Sequence, residues 1–316
     1  WLGFGGCYLL MMFYTTVGGW MLAYVVKMAT GEFNGLSSEQ VGGVFSGMLA
    51  DPVGLIGWLL VVTLIGFFVC SLGLQKGVQR VPKAMMACLF VIMAVLCVRS
   101  VTLEGGGEGL AFYLIPDFEK MFGGGIGHFG EVVYAAMGQA FFTLSLGISA
   151  MAIFGSYIGK DRRLTGEALS VGVLDTLVAL MAGLIIFPAC FAFGVNPGEG
   201  PSLVFVTLPS VFEQMWMGQL WGTLFFLFMS FAALSTIIAV FENLLSFSMD
   251  LWGWSRKKAV LVNGAAVIAL SLPCALGFNV LSGATVPGIG DIQSLEDFIV
   301  SNNILPIGSL IYVLFC

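Results

Sequence analysis

Long stretches without a charged residue limit this chain of 316 residues more than any other feature. A helix needs roughly 20 apolar residues to cross the hydrocarbon core of a bilayer. Five uncharged stretches approach or exceed that length: 1–26, 53–74, 132–159, 259–290 and 298–316. Three further stretches are broken by one charge each: 84–103 by Arg99, 168–198 by Asp175, and 214–249 by Glu242.

The pattern predicts an all-α polytopic membrane protein. Lipid offers no hydrogen bonds to a bare backbone, so crossings are either helices or a closed barrel, and these runs are too long and too evenly apolar for barrel strands. Charged residues make up 9% of the chain, against about 25% in soluble domains. We predict eight crossings, at approximately 2–26, 53–74, 84–103, 131–158, 168–193, 217–247, 258–277 and 298–316.

Charges in the connecting segments predict the orientation. Basic connections carry Lys76, Arg80 and Lys83; Lys160, Arg162 and Arg163; and Arg256, Lys257 and Lys258. The alternate connections are mainly acidic, with Glu32, Glu39 and Asp51; Glu104, Glu108, Asp117 and Glu119; Glu199 and Glu213; and Asp291, Glu296 and Asp297. By the positive-inside rule the basic loops are cytoplasmic. We therefore expect a multi-pass protein of the cell (plasma) membrane, with the lipid bilayer as its surroundings and no nucleic-acid partner.

The glycine-rich connection 102–130 carries no nucleotide or metal signature. Its glycine runs lack the following Lys-Ser/Thr of a phosphate loop, and its only histidine, His128, has no clustered ligands. We expect mobile outward loops here. The seven cysteines form no CxxC pairs and suggest neither a disulfide framework nor zinc. Since the chain lacks an initiator Met and ends inside an apolar run, we expect it to be part of a longer protein.

Polar residues inside the spans mark candidate functional positions. Thr143, Ser145 and Gly147 lie at the centre of the fourth span, where they fit either a broken helix, whose freed backbone groups they could satisfy, or a continuous helix with polar packing contacts. In the sixth span Ala232, Thr236 and Val240 recur every four residues and share one face. Either packing or a binding site explains such a stripe.

Two acids inside the spans are more informative. A charged side chain at the helix centre costs about 2.5–3.5 kcal/mol on insertion scales. Asp175 has no basic partner at similar depth, since Arg99 lies near the outer end of its span and can extend to the surface. A bound cation or a proton is left as its counter-charge; a protonated acid bonded to a neighbouring helix is the alternative. For Glu242, nearer the cytoplasm, we expect that alternative or a contact with the cytoplasmic loops.

Several blocks, in order, resemble the neurotransmitter:sodium symporter family. They are Tyr14 with Trp20; Gly77 in LQKGVQRVPKAMM; Ala111–Glu119 (AFYLIPDFE); Gln139–Gly147 (QAFFTLSLG); Val206–Leu208; and Ala232–Thr236 (AALST). The resemblance covers nearly the whole chain, from the family's third span to its tenth. It implies a leucine-transporter-like inverted-repeat helix bundle, incomplete here, with a broken fourth span and with substrate and ions at the midplane. Residues 1–316 would then be one transporter domain truncated at both ends, with the family's first two spans upstream.

The resemblance also implies site residues. Tyr14 matches the tyrosine that reaches the substrate carboxylate, and Phe142 the aromatic lid; both act as gates, as does Asp297 at the outer face. The substrate-binding positions are Leu10, Tyr14, Phe142, Ser145, Ile148, Thr236 and Val240. The sodium positions are Thr143 and Asp175 for a first site, and Ala232, Ser235 and Thr236 for a second.

The resemblance therefore implies sodium-coupled symport of a neutral, apolar amino acid by alternating access, with sodium ions as the only cofactor and no enzymatic activity. Chloride independence is expected, because Asp175 places a carboxylate beside the first sodium site and Ala179 lacks the hydroxyl of chloride-binding relatives. Ala87 stands where many bacterial relatives have a helix-opening proline. The alternatives are a proton-coupled carrier or an ion channel using Asp175, or an inactive truncated chain.

Overall fold

The computed structural model describes residues 1–159, 163–194 and 200–315. Lys160, Arg162, Glu199 and Cys316, which the sequence places in loops or at a span end, lie outside the described residues, and so does the side chain of Lys76. The α-helices are α1 Leu2–Ala29, α2 Ser38–Ala50, α3 Pro52–Ser71, α4 Arg80–Val101, α5 Gly106–Leu114, α6 Phe118–Gly123, α7 Gly125–Thr143, α8 Ala150–Ser156, α9 Leu164–Ala192, α10 Leu208–Glu213, α11 Gly218–Trp252, α12 Arg256–Gly277, α13 Ile292–Ile299 and α14 Leu305–Phe315. Wider π-helical turns occupy Leu74–Gln79, Leu203–Thr207 and Val300–Ile304.

In the described part of the chain, seven helical segments are long and apolar enough to cross a membrane. They are Leu2–Ala29, Pro52–Ser71, Gly77–Val101, Leu164–Ala192, Gly218–Trp252, Arg256–Gly277 and Ile292–Phe315. The sequence predicted eight, and the difference falls at 131–158. That stretch is divided between α7 and α8, so it contains no single helix of membrane-spanning length and apolarity.

The centre of the bundle is the pair α1 and α11, which pack along each other and against α3. Close approach depends on small residues: a Cβ on Gly18 would lie 3.1 Å from Ile237 of α11 and 3.4 Å from Val62 of α3. Across the α3–α11 contact, the rings of Phe67 and Phe241 stack with centroids 3.9 Å apart. This packing makes α1 and α11 a fixed frame on which the site is built.

The connection 102–130 is more helical than the sequence suggested. It contains α5 and α6, and α5 packs against the C-terminal part of α9. A Cβ on Gly109 would collide with the backbone of Phe187 and Pro188. The expectation of a loop was wrong for this segment, because glycine lets a short helix such as α5 lie directly on another backbone, a tertiary contact that local composition does not reveal.

Candidate functional site

The site is organised around the interruption between α7 and α8. The helix ends at Thr143 and resumes at Ala150, so the interruption expected at the centre of the fourth span is present. Ser145 (φ 50°), Gly147 (φ 84°) and Ser149 (φ 65°) all adopt left-handed backbone conformations. Such values are uncommon for residues with a Cβ, and three of them within five residues end the helix.

Gly147 is required by its surroundings as well as by its φ. A Cβ at this position would overlap the Leu305 carbonyl oxygen at the start of α14. Gly308 faces it, and a Cβ there would overlap the Gly147 carbonyl. The break therefore lies directly against the backbone of α14, an approach that only glycine permits at both positions.

A cavity of about 230 Å³ lies beside the break. It is lined by Leu10 and Tyr14 of α1; Gln139, Phe142 and Thr143 of α7; Ser145 and Ile148 of the break; Asp175 of α9; Thr236 of α11; and Leu305 of α14. Six of the seven positions predicted to contact substrate share this one space, although the chain carries them on three separate segments. Gln139 and Leu305 are added by the structure.

Val240, the seventh predicted substrate position, is not among the lining residues. It is 2% exposed and packs in the hydrophobic core around α1 and α11. Gln139 received no role in the sequence analysis, although it lies one turn before Phe142 and Thr143 and so shares their helix face. Leu305 had no sequence signal, since only the fold brings α14 to the break.

Predicted ligands of the second sodium site meet on α11. The hydroxyls of Ser235 and Thr236 both donate to the Ala232 carbonyl, at 2.8 and 3.3 Å. Thr236 lines the same cavity as Tyr14. Ala232, Ser235 and Thr236 are only half buried, unlike the neighbouring Ala233 and Ile237. One turn of helix thus brings three oxygen atoms to a partly open face, a donor set that suits a hard cation.

Asp175 is the only acid that lines the 230 Å³ cavity. It lies in the first half of α9, with Thr143 on the same cavity wall. Within the described residues its carboxylate makes no hydrogen bond and no ion pair. An anionic oxygen and a hydroxyl oxygen facing a small space leave room for a cation, the counter-charge considered from the sequence.

A second cavity of about 340 Å³ includes Asp297, from a connection that the charge pattern predicts to face outward, and we name it the outer cavity. Its lining includes Gln139 and Phe142, which it shares with the inner cavity, together with Asp297. Phe142 therefore stands between the two spaces, where a lid would have to stand. Asp297 accepts a hydrogen bond of 2.6 Å from the Ser301 hydroxyl, which orients its carboxylate in the second half of α13.

Glu242 is not part of either cavity. It is 1% exposed, and its carboxylate pairs with the guanidinium of Arg256, the first residue of α12. Arg256 also donates a 2.8 Å bond to the Cys70 carbonyl at the end of α3, and the Tyr157 hydroxyl lies 3.3 Å from Glu242 Oε1. Of the two roles considered for this acid, the structure shows the contact with a basic residue, Arg256, which the sequence placed in a loop and the structure places at the start of α12.

Fold and site together define a class: a helical membrane transporter with a broken helix beside a small central cavity. The model of the sodium:neurotransmitter symporter family matches residues 44–309, and the chain belongs to that family. It is a family of transporters and not of enzymes.

Individual relatives agree with this assignment. The uncharacterised sodium-dependent transporter YhdH of Bacillus subtilis is 38% identical over 319 residues, covering 100% of this chain and 68% of the relative. An uncharacterised sodium-dependent transporter of Haemophilus influenzae is 30% identical, covering 96% of this chain and 66% of its own length. The crystal structure of MhsT in complex with L-phenylalanine superposes with a TM-score of 0.89 and 38% identity, over 99% of this chain and 70% of that one. The chain therefore spans about two thirds of the length of these proteins.

Proposed function

We propose that the full-length protein carrying this chain imports a neutral, apolar amino acid together with sodium, by alternating access, and needs no chloride. One observation carries the proposal: a single small cavity gathers a tyrosine hydroxyl, an unpaired carboxylate and apolar side chains from α1, α7, the break and α14. The sodium-dependent relatives support coupling to sodium and favour it over the proton-coupled alternative.

The substrate class follows from the cavity walls. Leu10, Phe142, Ile148 and Leu305 are apolar, and Asp175 is the only charged residue in the lining. A cavity of about 230 Å³ is smaller than the 300–1,000 Å³ of sites for drug-sized ligands. With no cationic side chain to pair an acidic substrate, and with Asp175 assigned to sodium, neutral apolar amino acids fit best. The bound L-phenylalanine of MhsT is consistent with this choice.

Each of the remaining site residues has its own proposed role. Tyr14 would donate its hydroxyl to the substrate carboxylate, and Phe142 would close over the substrate from the outer cavity. Thr143 and Asp175 would bind one sodium ion; Ala232, Ser235 and Thr236 would bind another. Each ion would favour the substrate-bound conformation by binding it more tightly than the empty one.

Chloride independence rests on Asp175. A carboxylate and a chloride ion about 4 Å apart would repel each other by about 4 kcal/mol at an effective dielectric constant of 20. The Asp175 carboxylate, ionised when sodium is bound, would already balance the charge of that ion. Residue 179 is alanine and offers no side-chain donor to an anion.

Uptake of labelled L-phenylalanine into proteoliposomes tests the proposal. We expect uptake in a sodium gradient, none when potassium replaces sodium, competition by excess Leu but not by Glu or Lys, and little change when gluconate replaces chloride. Asp175→Asn combined with Ala179→Ser should create a chloride requirement. Uptake driven by a proton gradient without sodium would contradict the proposal, and loss of most wild-type uptake in gluconate would refute its chloride part.

A further inference from the structure

The carbonyl group of Ile148 lies at the most distorted point of the helix break. Ile148 stands between two residues with left-handed backbone conformations, Gly147 and Ser149, and its own side chain lines the substrate cavity. Its carbonyl therefore cannot be satisfied within a regular helix. In a membrane an unsatisfied buried backbone group costs several kcal/mol, so its partners must come from elsewhere.

Two side chains from the fixed frame supply those partners. Asn243 of α11 donates from Nδ2 to the Ile148 carbonyl at 2.9 Å, and the Cys7 thiol of α1 donates to the same oxygen at 3.2 Å. Asn243 Nδ2 also lies 3.0 Å from Cys7 Sγ. Asn243 is 3% exposed, and Cys7 and Ile148 are 0% exposed. The three groups form a closed, buried triangle between α1, α11 and the break.

The position of Asn243 on α11 ties this triangle to the sodium ligands. Thr236 lies seven residues earlier, which is two helical turns, so both side chains point to the same side of α11. Because α11 is one continuous helix, the distance between the Thr236 hydroxyl and the Asn243 amide is fixed. The amide in turn fixes the backbone of Ile148, and with it one wall of the cavity.

We propose that Asn243 is a positioning residue for substrate: its amide, supported by Cys7, holds the Ile148 carbonyl and thereby sets the cavity wall relative to the sodium ligands on α11. The effect on substrate binding rests on the proposed function. The two hydrogen bonds that Asn243 and Cys7 donate to the Ile148 carbonyl, which we call the clamp, are a property of the fold. Loss of the amide frees Ile148 to move, which weakens substrate binding without removing a sodium ligand.

Substrate binding gives the first test. Asn243→Leu has similar size and no donor, so we expect the Kd for L-phenylalanine in saturating sodium to rise about tenfold, as loss of a buried hydrogen bond would allow. Cys7→Ser keeps both hydrogen bonds of the triangle and should stay within about twofold of wild type. Ser248→Ala is the matched control: it removes a buried hydroxyl on α11, bonded to Leu244 and Asn263, away from the cavity.

A thiol-labelling experiment tests the clamp without any substrate. In a Cys88→Ser background, which removes the one exposed cysteine among the described residues, the thiol introduced by Ile148→Cys should react slowly with a methanethiosulfonate reagent. Adding Asn243→Leu should speed this reaction at least about fivefold, because the break, once freed of the Asn243 hydrogen bond, opens locally. Adding Ser248→Ala should leave it unchanged. If Asn243→Leu fails to fold, Asn243→Ala takes its place in both experiments.

The two measurements separate this inference from the proposed function. If the wild-type protein binds no amino acid, the proposed substrate class fails while the labelling rate still decides the clamp. An unchanged labelling rate in the Asn243 variant would overturn the clamp. So would an unchanged Kd where the wild type binds, or an equal loss of affinity in Ser248→Ala.

Discussion

At the scale of single residues, exposure differs along the polar face of α11. Ala232, Ser235 and Thr236 lie half buried, while the next side chains on the helix are in the core. The stripe of Ala232, Thr236 and Val240 seen in the sequence fits either packing or a binding site. Val240 packs in the core, so only Ala232 and Thr236 of this stripe lie on the partly open face where we propose the second sodium site.

The second sodium site gives a prediction at this scale. Ser235→Ala combined with Thr236→Ala removes two of three oxygens and leaves the Ala232 carbonyl alone. We expect sodium-dependent uptake by the full-length protein to fall below detection. Thr223→Ala, which removes a hydroxyl bonded only to the Gln219 carbonyl of the same helix, serves as the control. Uptake with an unchanged sodium dependence in the double variant would show that the ion binds elsewhere.

The buried pair of Glu242 and Arg256 gives a second prediction. Arg256→Met leaves the Glu242 carboxylate buried without its counter-charge, and removing one partner of such a pair typically costs about 3–5 kcal/mol. We expect a clear fall in the temperature of thermal unfolding in detergent. Glu242→Gln added to Arg256→Met should recover most of the loss, because no charge is then stranded. Equal instability of the single and double variants would mean that Arg256 acts through its bond to Cys70 instead.

At the scale of elements, the break between α7 and α8 is what makes a cavity possible. A continuous helix would bond its own backbone and present only side chains. Here Gly147 lies against Leu305 and Gly308, and Ile148 is held by α1 and α11. The break is therefore clamped from both sides, by α14 through close approach and by the central helices through hydrogen bonds.

Gly147→Ala tests the close approach. The new methyl would overlap the Leu305 carbonyl and would sit on a residue with φ 84°, a conformation that costs an L-residue about 1–2 kcal/mol before any clash is counted. We expect weaker L-phenylalanine binding and lower thermal stability. Gly155→Ala in α8 is the control, since no atom lies within 4 Å of its added methyl; it should bind as wild type does. Equal behaviour of the two variants would show that close packing against α14 does not hold the break in place.

At the scale of the whole molecule, the placement of basic residues predicts the orientation. We propose that the helix starts carrying Arg80 and Lys83 in α4, and Lys257 and Lys258 in α12, face the cytoplasm of a plasma membrane, since basic segments are retained on that side. The prediction is that a membrane-impermeant thiol reagent applied to intact cells labels Glu39→Cys and not Lys258→Cys in a Cys88→Ser background. Permeabilised cells, in which both should label, provide the control. Labelling of Lys258→Cys, but not of Glu39→Cys, from outside would show that the orientation is the reverse of the one proposed.

Periodicity and charge placement predicted the membrane helices, because every polar group left unpaired in the hydrocarbon core of a bilayer costs free energy. The helix content follows from these local patterns, whereas the broken fourth span and the symporter-like fold were implied by the resemblance of blocks such as QAFFTLSLG, in their order along the chain, to a known family. This reasoning did not predict the helices of the glycine-rich connection 102–130. There α5 packs against α9 and α6 packs against α7, tertiary contacts that the local composition does not record.

Contacts between distant segments were decided by the tertiary structure alone. Sequence order could not tell that Leu305 closes the cavity, that Val240 faces the core, or that Asn243 reaches Ile148 across 95 positions of chain. Nor could it choose between the two environments open to Glu242. These are long-range contacts, set by how helices fit side by side, whereas a helix and its place in a membrane depend on near neighbours and solvent, which a linear pattern already contains.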